Sequence, residues 1–113
     1  MSTKTNLDKF LSMLERGKDS ALLRFSIGTE YLKGDDPVAA ADHLAQALEL
    51  DPNYSAAWKL YAQALGEAGR VDEAMKAYAD GINVAEARGD RQAAKEMGVF
   101  LRRLKKRVDA DPT

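Results

Sequence analysis

The sequence predicts an all-α chain built as a short solenoid of helical hairpins, and three observations predict it. A pattern of small and large residues returns 34 positions on: Gly28, Tyr31, Ala40, Leu44, Ala47 and Pro52 are matched by Ala62, Leu65, Ala74, Tyr78, Gly81 and Glu86. The stretches between chain breakers carry apolar residues three and four apart, the period of one helix face, and no strand alternation competes with it. The breaks are short, which forces each helix antiparallel to the one before. Two-helix units repeating at this period bury their apolar faces only by stacking on one another.

The elements follow in order. An N-terminal helix is expected over 6–17, with Leu7, Phe10, Leu11, Met13 and Leu14 in one apolar stripe and Gly17 ending it. The second helix starts near Asp19 or Ser20, both good N-caps, and runs to Lys33. Gly34-Asp35-Asp36-Pro37 then makes the sharpest boundary: Asp36 caps the third helix and Pro37 takes its first position, where a missing amide hydrogen costs nothing. That helix is rich in alanine and stops at Asp51-Pro52. The fourth runs from Asn53 or Ser55 to Glu67, and the fifth from after Arg70, with Asp72 as its expected cap, to about Arg88. Gly89-Asp90 separates it from a sixth helix reaching Val108, with a frayed tail from Asp109. The units are therefore 20–53 and 54–88, flanked by 6–17 and 90–108, in one domain spanning 1–113.

Composition sets limits on function. Apolar residues make up 45% and charged residues 31%, which describes a globular protein rather than a disordered one. The net charge of −1 hides a polarity: Asp35, Asp36, Asp42, Glu49 and Asp51 crowd the middle, while five basic residues lie between Arg102 and Arg107. Cysteine is absent, which excludes disulfides, thiol nucleophiles and cysteine metal sites. No segment has the continuous apolar core of a secretory signal or a membrane span, so a cytoplasmic location is expected.

Ile27-Gly28, Tyr31, Ala40, Leu44, Ala47 and Pro52 in the first unit, and Trp58, Tyr61-Ala62, Leu65, Ala74, Tyr78 and Gly81 in the second, resemble the tetratricopeptide repeat family. The resemblance covers about four fifths of the chain, and Met97-Gly98 with Leu101 resembles the opening helix of a third repeat. It implies a right-handed solenoid whose flanking helices cover the ends of the stack. Two positions depart from the family pattern. Arg24 stands where the first repeat would carry an aromatic residue, and Glu86 replaces a proline, so the fifth helix should run on.

Catalysis finds little support. The single histidine, His43, falls at a position usually turned to the convex surface and reads as a solvated side chain with no partner for metal binding. Acidic pairs at helix starts cap amides and complement the dipole. The glycines follow no strand and make no phosphate loop. No enzyme, cofactor or metal site is expected. The resemblance instead implies a groove lined by the first helix of each unit. By position, Leu22, Phe25, Thr29 and Leu32 or Lys33, then Ala56, Lys59, Gln63 and Glu67, then Lys95, Val99, Arg102 and Lys106 would face it. The strongest partner-binding candidates among these are Phe25, Thr29, Lys59, Gln63, Lys95, Val99, Arg102 and Lys106. The Lys-Asn-Asn-Lys-Arg carboxylate clamp of some family members is missing, since Phe25, Thr29, Leu60, Gln92 and Glu96 occupy its places.

The expected function is therefore a non-enzymatic module binding a peptide or protein segment in the groove. Arg91, Lys95, Arg102 and Lys106 share one helix face and, with Lys59, would make one wall basic and attractive to acidic segments. Self-association as a structural subunit is the competing reading, which makes a monomer or weak homodimer the expected state. Nucleic-acid binding through the basic end ranks lower, because exposed aromatics do not alternate with the cations.

Overall fold

A computed structural model describes residues 5–110. Among these the chain forms six α-helices: α1 Asn6–Glu15, α2 Ala21–Lys33, α3 Pro37–Leu50, α4 Ser55–Glu67, α5 Val71–Ala87 and α6 Arg91–Ala110. The caps explain most of the starts. The hydroxyl of Thr5 accepts from the Asp8 amide at 3.1 Å while the Asp8 carboxylate accepts from the Thr5 amide at 3.2 Å, closing a capping box on α1. Ser20 accepts from the Leu23 amide and Asp36 from the Ala39 amide, with Pro37 opening α3 as expected. Asp90 accepts from the Ala93 amide at the start of α6.

Asp72 does not cap α5. Arg70 holds the N-cap position, and Asp72 lies inside the first turn with Glu73, where a carboxylate still favours the dipole. The sixth helix also outruns its expected end, because Asp109 and Ala110 are helical; the rest of the expected frayed tail lies outside the described residues. The fifth helix does run on past Glu86, to Ala87.

Four of the five helix connections close in one way. After α1, α2, α4 and α5 the residue past the C-cap has positive φ, and the amide after it reaches back to the carbonyl at the helix's third-last position. Gly17, Gly69 and Gly89 supply that conformation at φ 82°, 83° and 75°. In the α2–α3 turn the duty falls one place later than the glycine: Gly34 has φ −89°, and Asp35 takes φ 58°. The α3–α4 connection is different. Asp51 is extended, Asn53 donates its amide to the Asp51 carboxylate at 3.1 Å, and Arg88 at the far end of α5 donates to the Asn53 carbonyl.

Packing follows the order of the chain. Each helix packs on its neighbour in sequence, and across the stack only α2 with α4 and α4 with α6 also meet. Contact confined to adjacent units defines a solenoid. The radius of gyration is 15.0 Å with extents of 51 × 34 × 19 Å, against roughly 13 Å for a compact domain of this length. One apolar core, including Ala40, Leu44, Ala62, Leu65, Ala74, Tyr78 and Met97, runs through both hairpins and into α6. Small residues set the approach: a Cβ on Gly28 would lie 2.5 Å from Leu44 Cγ, and one on Gly81 would lie 2.6 Å from Met97 Sδ and 2.8 Å from Trp58 Cβ. The end helices are sealed unequally. The apolar stripe of α1 is half-buried against α2 alone. On α6, Met97 and Leu104 are buried, whereas Val108 near its end is 43% exposed.

Candidate functional site

The three helices α2, α4 and α6 form one row in which neighbours touch, while α3 and α5 on the other side do not meet. Close approach in one row and separation in the other curve the stack, with α2, α4 and α6 on its inner side. The expected groove residues fall on these helices but do not form one lining.

Phe25 stacks on Tyr54 at 4.9 Å and packs into the junction between the two hairpins, around Ala47, Leu48 and Ala57. Thr29 donates its hydroxyl back to the Phe25 carbonyl at 2.8 Å. Both border a shallow recess of about 220 Å³ shared with Phe10 of α1. Lys59 does not extend the basic stripe. Its amine lies 2.6 Å from the Glu96 carboxylate, an ion pair that ties α4 to α6. Lys59 first, then Gln92, holds the Glu96 carboxyl below its ordinary value. Lys95, Arg102 and Lys106 are exposed, make no ion pair among the described residues, and lie opposite the buried Met97–Leu104 seam, with half-buried Val99 among them.

Gln63 lines a larger recess on the inner side. A recess of about 580 Å³ opens between α4, α5 and α6, lined by Ala62, Gln63, Gly66 and Glu67, by Tyr78, and by Phe100, Arg103, Leu104 and Arg107. Its floor is apolar. Phe100, 36% exposed, stacks on Tyr78 with ring centroids 5.9 Å apart, and the Arg103 guanidinium lies 5.7 Å from the Phe100 centroid. Burial first, then the nearby Glu67 carboxylate, pushes the Tyr78 phenol up to about 12. Gln63 donates to Glu67 at 2.8 Å and so orients the single acidic group of the lining. Position within the repeat pointed to Gln63 but missed Phe100, Arg103 and Arg107. These lie one residue along from the basic stripe, on the flank of α6 that turns toward α4.

His43 corrects the expectation of a solvated side chain. It is half-buried, its ring stacks on Tyr31 at 5.5 Å, and its Nδ1 lies 3.1 Å from the Arg24 guanidinium. Burial first, then the Arg24 charge, holds its pKa below 6.5, so the neutral ring accepts from Arg24. Arg24 in turn makes a two-pronged ion pair with Asp19, at 2.9 and 3.1 Å, and holds that carboxyl down. The residue that departs from the family's aromatic pattern thus anchors a polar junction. Among the described residues no group of three or more histidine or acidic side chains could hold a metal ion. None of the described helices is long and apolar enough to cross a membrane.

The comparisons agree with this architecture. The sequence profile of the family described as "Tetratricopeptide repeat" matches residues 31–97. A protein named "TPR repeat-containing protein PA0015", from Pseudomonas aeruginosa, is 49% identical over 92 residues, covering 81% of this chain and 88% of its own. The solution structure of protein BPP2914 from Bordetella parapertussis superposes with a TM-score of 0.82 at 39% identity, over 93% of this chain and 91% of that one. A tetratricopeptide repeat domain protein from Salinibacter ruber, solved by NMR, shares the fold at a TM-score of 0.72 and 22% identity, over 84% of this chain and 93% of that one. Proteins built on these repeats generally mediate protein–protein interaction. By sequence pattern, stacked hairpins and likeness to these proteins, the chain belongs to the tetratricopeptide repeat family.

Proposed function

We propose that this chain is a non-enzymatic protein-binding module that holds a partner segment on its α2–α4–α6 side, with the units 20–53 and 54–88 as its two repeats. The recess between α4 and α6 is the anchor point. One observation carries this reading: that recess combines an apolar floor with polar groups converging at its mouth, and at about 580 Å³ it has more than twice the volume of the shallow recess beside Phe25, about 220 Å³. Such a lining takes a side chain of a partner and orients the backbone around it. The test compares a tagged protein with two variants in capture from a native extract. Gln63→Trp fills the mouth of the recess, whereas Gln46→Trp places the same ring on an exposed site of α3. Proteins retained by the parent and by Gln46→Trp, and lost only from folded Gln63→Trp, are the expected outcome. Equal retention by all three would refute the anchor.

Self-association is a second reading, supported by a separate feature. At the open end of the stack, Met75, Ala79, Leu101 and Val108 line an apolar recess of about 490 Å³ between α5 and α6. Light scattering across a concentration series tests it, with Val108→Asp as the variant expected to lower any mass above the monomer.

A further inference from the structure

We infer that the segment anchored between α4 and α6 is acidic: an apolar side chain seated on Phe100 and Leu104, flanked by carboxylates that meet Arg103 and Arg107. This rests on the recess reading above and goes further, because it names the chemistry of the partner. Between Arg91 and Ala110, α6 carries seven basic side chains against Glu96 and Asp109. Glu96 is already spent on Lys59 and Gln92, so it cannot offset the cations further along. Inside the recess the balance has the same sign, with Arg103 and Arg107 against Glu67 alone, whose carboxylate accepts from Gln63. Neither arginine makes an ion pair among the described residues.

Position separates these two from the other cations of the helix. Arg103 and Arg107 are one turn apart on the flank facing α4, so both can fork to carboxylates of a chain lying along the recess. Arg102 and Lys106, one residue back in each case, stand on the outer face of α6 and act at longer range. Cations near a helix C-terminus also favour the helix itself, but the dipole does not require two of them beside an apolar floor. A nucleic acid fits less well. The recess exposes one aromatic ring, Phe100, which Tyr78 and Arg103 partly cover, so it offers room for one side chain and no row of open rings for successive bases.

The experiment uses the full chain, isotope-labelled, and a fluorescent synthetic peptide with one leucine flanked on each side by glutamates. Two control peptides replace the glutamates with glutamine or the leucine with serine. Binding of the acidic peptide should shift the amide signals of Gln63, Gly66, Glu67, Phe100 and Leu104, and should weaken as salt is raised. Arg103→Glu with Arg107→Glu should cost more than about tenfold in affinity, whereas Arg102→Glu with Lys106→Glu should act mainly through salt dependence and cost less. Equal losses from the two pairs would reduce the effect to diffuse attraction and overturn the inference. Tight binding of the glutamine peptide at the same signals would also overturn it, while leaving the recess as an anchor. Preference for oligouridylate or for phosphatidylserine vesicles would replace the peptide with another class of partner. A salt-sensitive dimer at low ionic strength would replace it with the acidic middle of a second copy. Absence of any shift with the acidic peptide refutes the inference outright.

Discussion

The two hairpins solve one packing problem with exchanged parts. In the first, α2 carries a glycine and a tyrosine, Gly28 and Tyr31, opposite Leu44 and Ala47 of α3. In the second, 34 positions on, α4 carries Ala62 and Leu65 opposite Tyr78 and Gly81 of α5. Glycine and aromatic ring have moved together from the first helix of the pair to the second. Gly28 admits Leu44 within its own hairpin, whereas Gly81 admits Trp58 from its own hairpin and Met97 from the next helix. Close packing is thus a property of facing pairs, and a single position can change size provided its partner changes in the opposite sense.

The hairpins differ more sharply at the position four residues before the small residues Gly28 and Ala62. The second has Trp58, half-buried among apolar residues of both core clusters, with its indole N–H donated to the Pro52 carbonyl at 2.8 Å. The first has Arg24, whose reach is satisfied by Asp19 and His43. Trp58→Ala should therefore cause the largest loss, about 3 kcal/mol in urea unfolding, because it empties an apolar junction. Arg24→Ala should cost about 1 kcal/mol, mostly through lost packing of its largely covered stem, since the Asp19 carboxylate it pairs with is itself exposed to water. Similar losses at the two sites would show that the hairpins are energetically alike despite their different chemistry.

Exchange of glycine and bulk can be broken directly in the first hairpin. A Cβ at position 28 would meet the branch carbon of Leu44, which cannot swing aside like the end of a flexible chain. Gly28→Ala should destabilise by about 1–2 kcal/mol, after an offset of roughly 1 kcal/mol from better helix propensity. Combined with Leu44→Ala it should cost less than the sum of the two single changes, a coupling that a double-mutant cycle reads. Strict additivity would mean that α2 and α3 part freely and that the close approach is not a constraint.

Most of this frame was legible in the sequence because it is local. Ser20, Asp36 and Pro37 act on amides within their own turns, and the 34-residue return needs no knowledge of the third dimension. Asp72 misled because a carboxylate favours both the cap and the first turn, and the choice between them depends on where Arg70 ends the preceding turn. The site was harder to read. Lys59 with Glu96 and Arg88 with Asn53 are contacts between residues more than 30 positions apart. Arg24 with His43 joins different helices. A family position says which way a residue points, not which neighbour has already claimed its charge. The step from Arg102 and Lys106 to Arg103 and Arg107 is a rotation of one residue on a helix, which depends on how α6 seats against α4.

The polar junction should also separate the hairpins by pH. Unfolded, His43 takes up its proton near 6.5; folded, burial and Arg24 delay uptake to lower pH. Folding is therefore favoured by the neutral ring above pH 6.5, and this contribution is lost as the pH falls from there through the folded value. Asp19 acts at lower pH: its folded pKa lies below 3.8, so its contribution is present above that value and is lost as the pH falls further. The chain has one histidine, so its ring signal in a proton NMR titration reports on this junction alone. Arg24→Leu should move that titration upward by removing the repelling charge, and His43→Gln should flatten the fall in urea midpoint between neutral and mildly acidic pH. An unmoved titration in Arg24→Leu would leave burial as the whole cause.

The smallest expected effect lies where the two hairpins join. Ser55 opens α4, is 5% exposed, and its hydroxyl finds no hydrogen-bond partner among the described residues. Around it the other polar atoms of the connection are matched: Asn53 with Asp51, Trp58 with Pro52, and Arg88 with the Asn53 carbonyl. A buried hydroxyl without a partner loses its hydration and gains nothing in return. The position corresponds to Ala21 in the first hairpin, where the side chain is a methyl group. Ser55→Ala makes the second hairpin match the first there, removes the stranded oxygen, and keeps the volume nearly the same. It should raise stability by up to about 1 kcal/mol, read as a higher urea midpoint at unchanged slope. A loss of similar size would mean that the hydroxyl is satisfied in solution by water and that the junction between the hairpins depends on it.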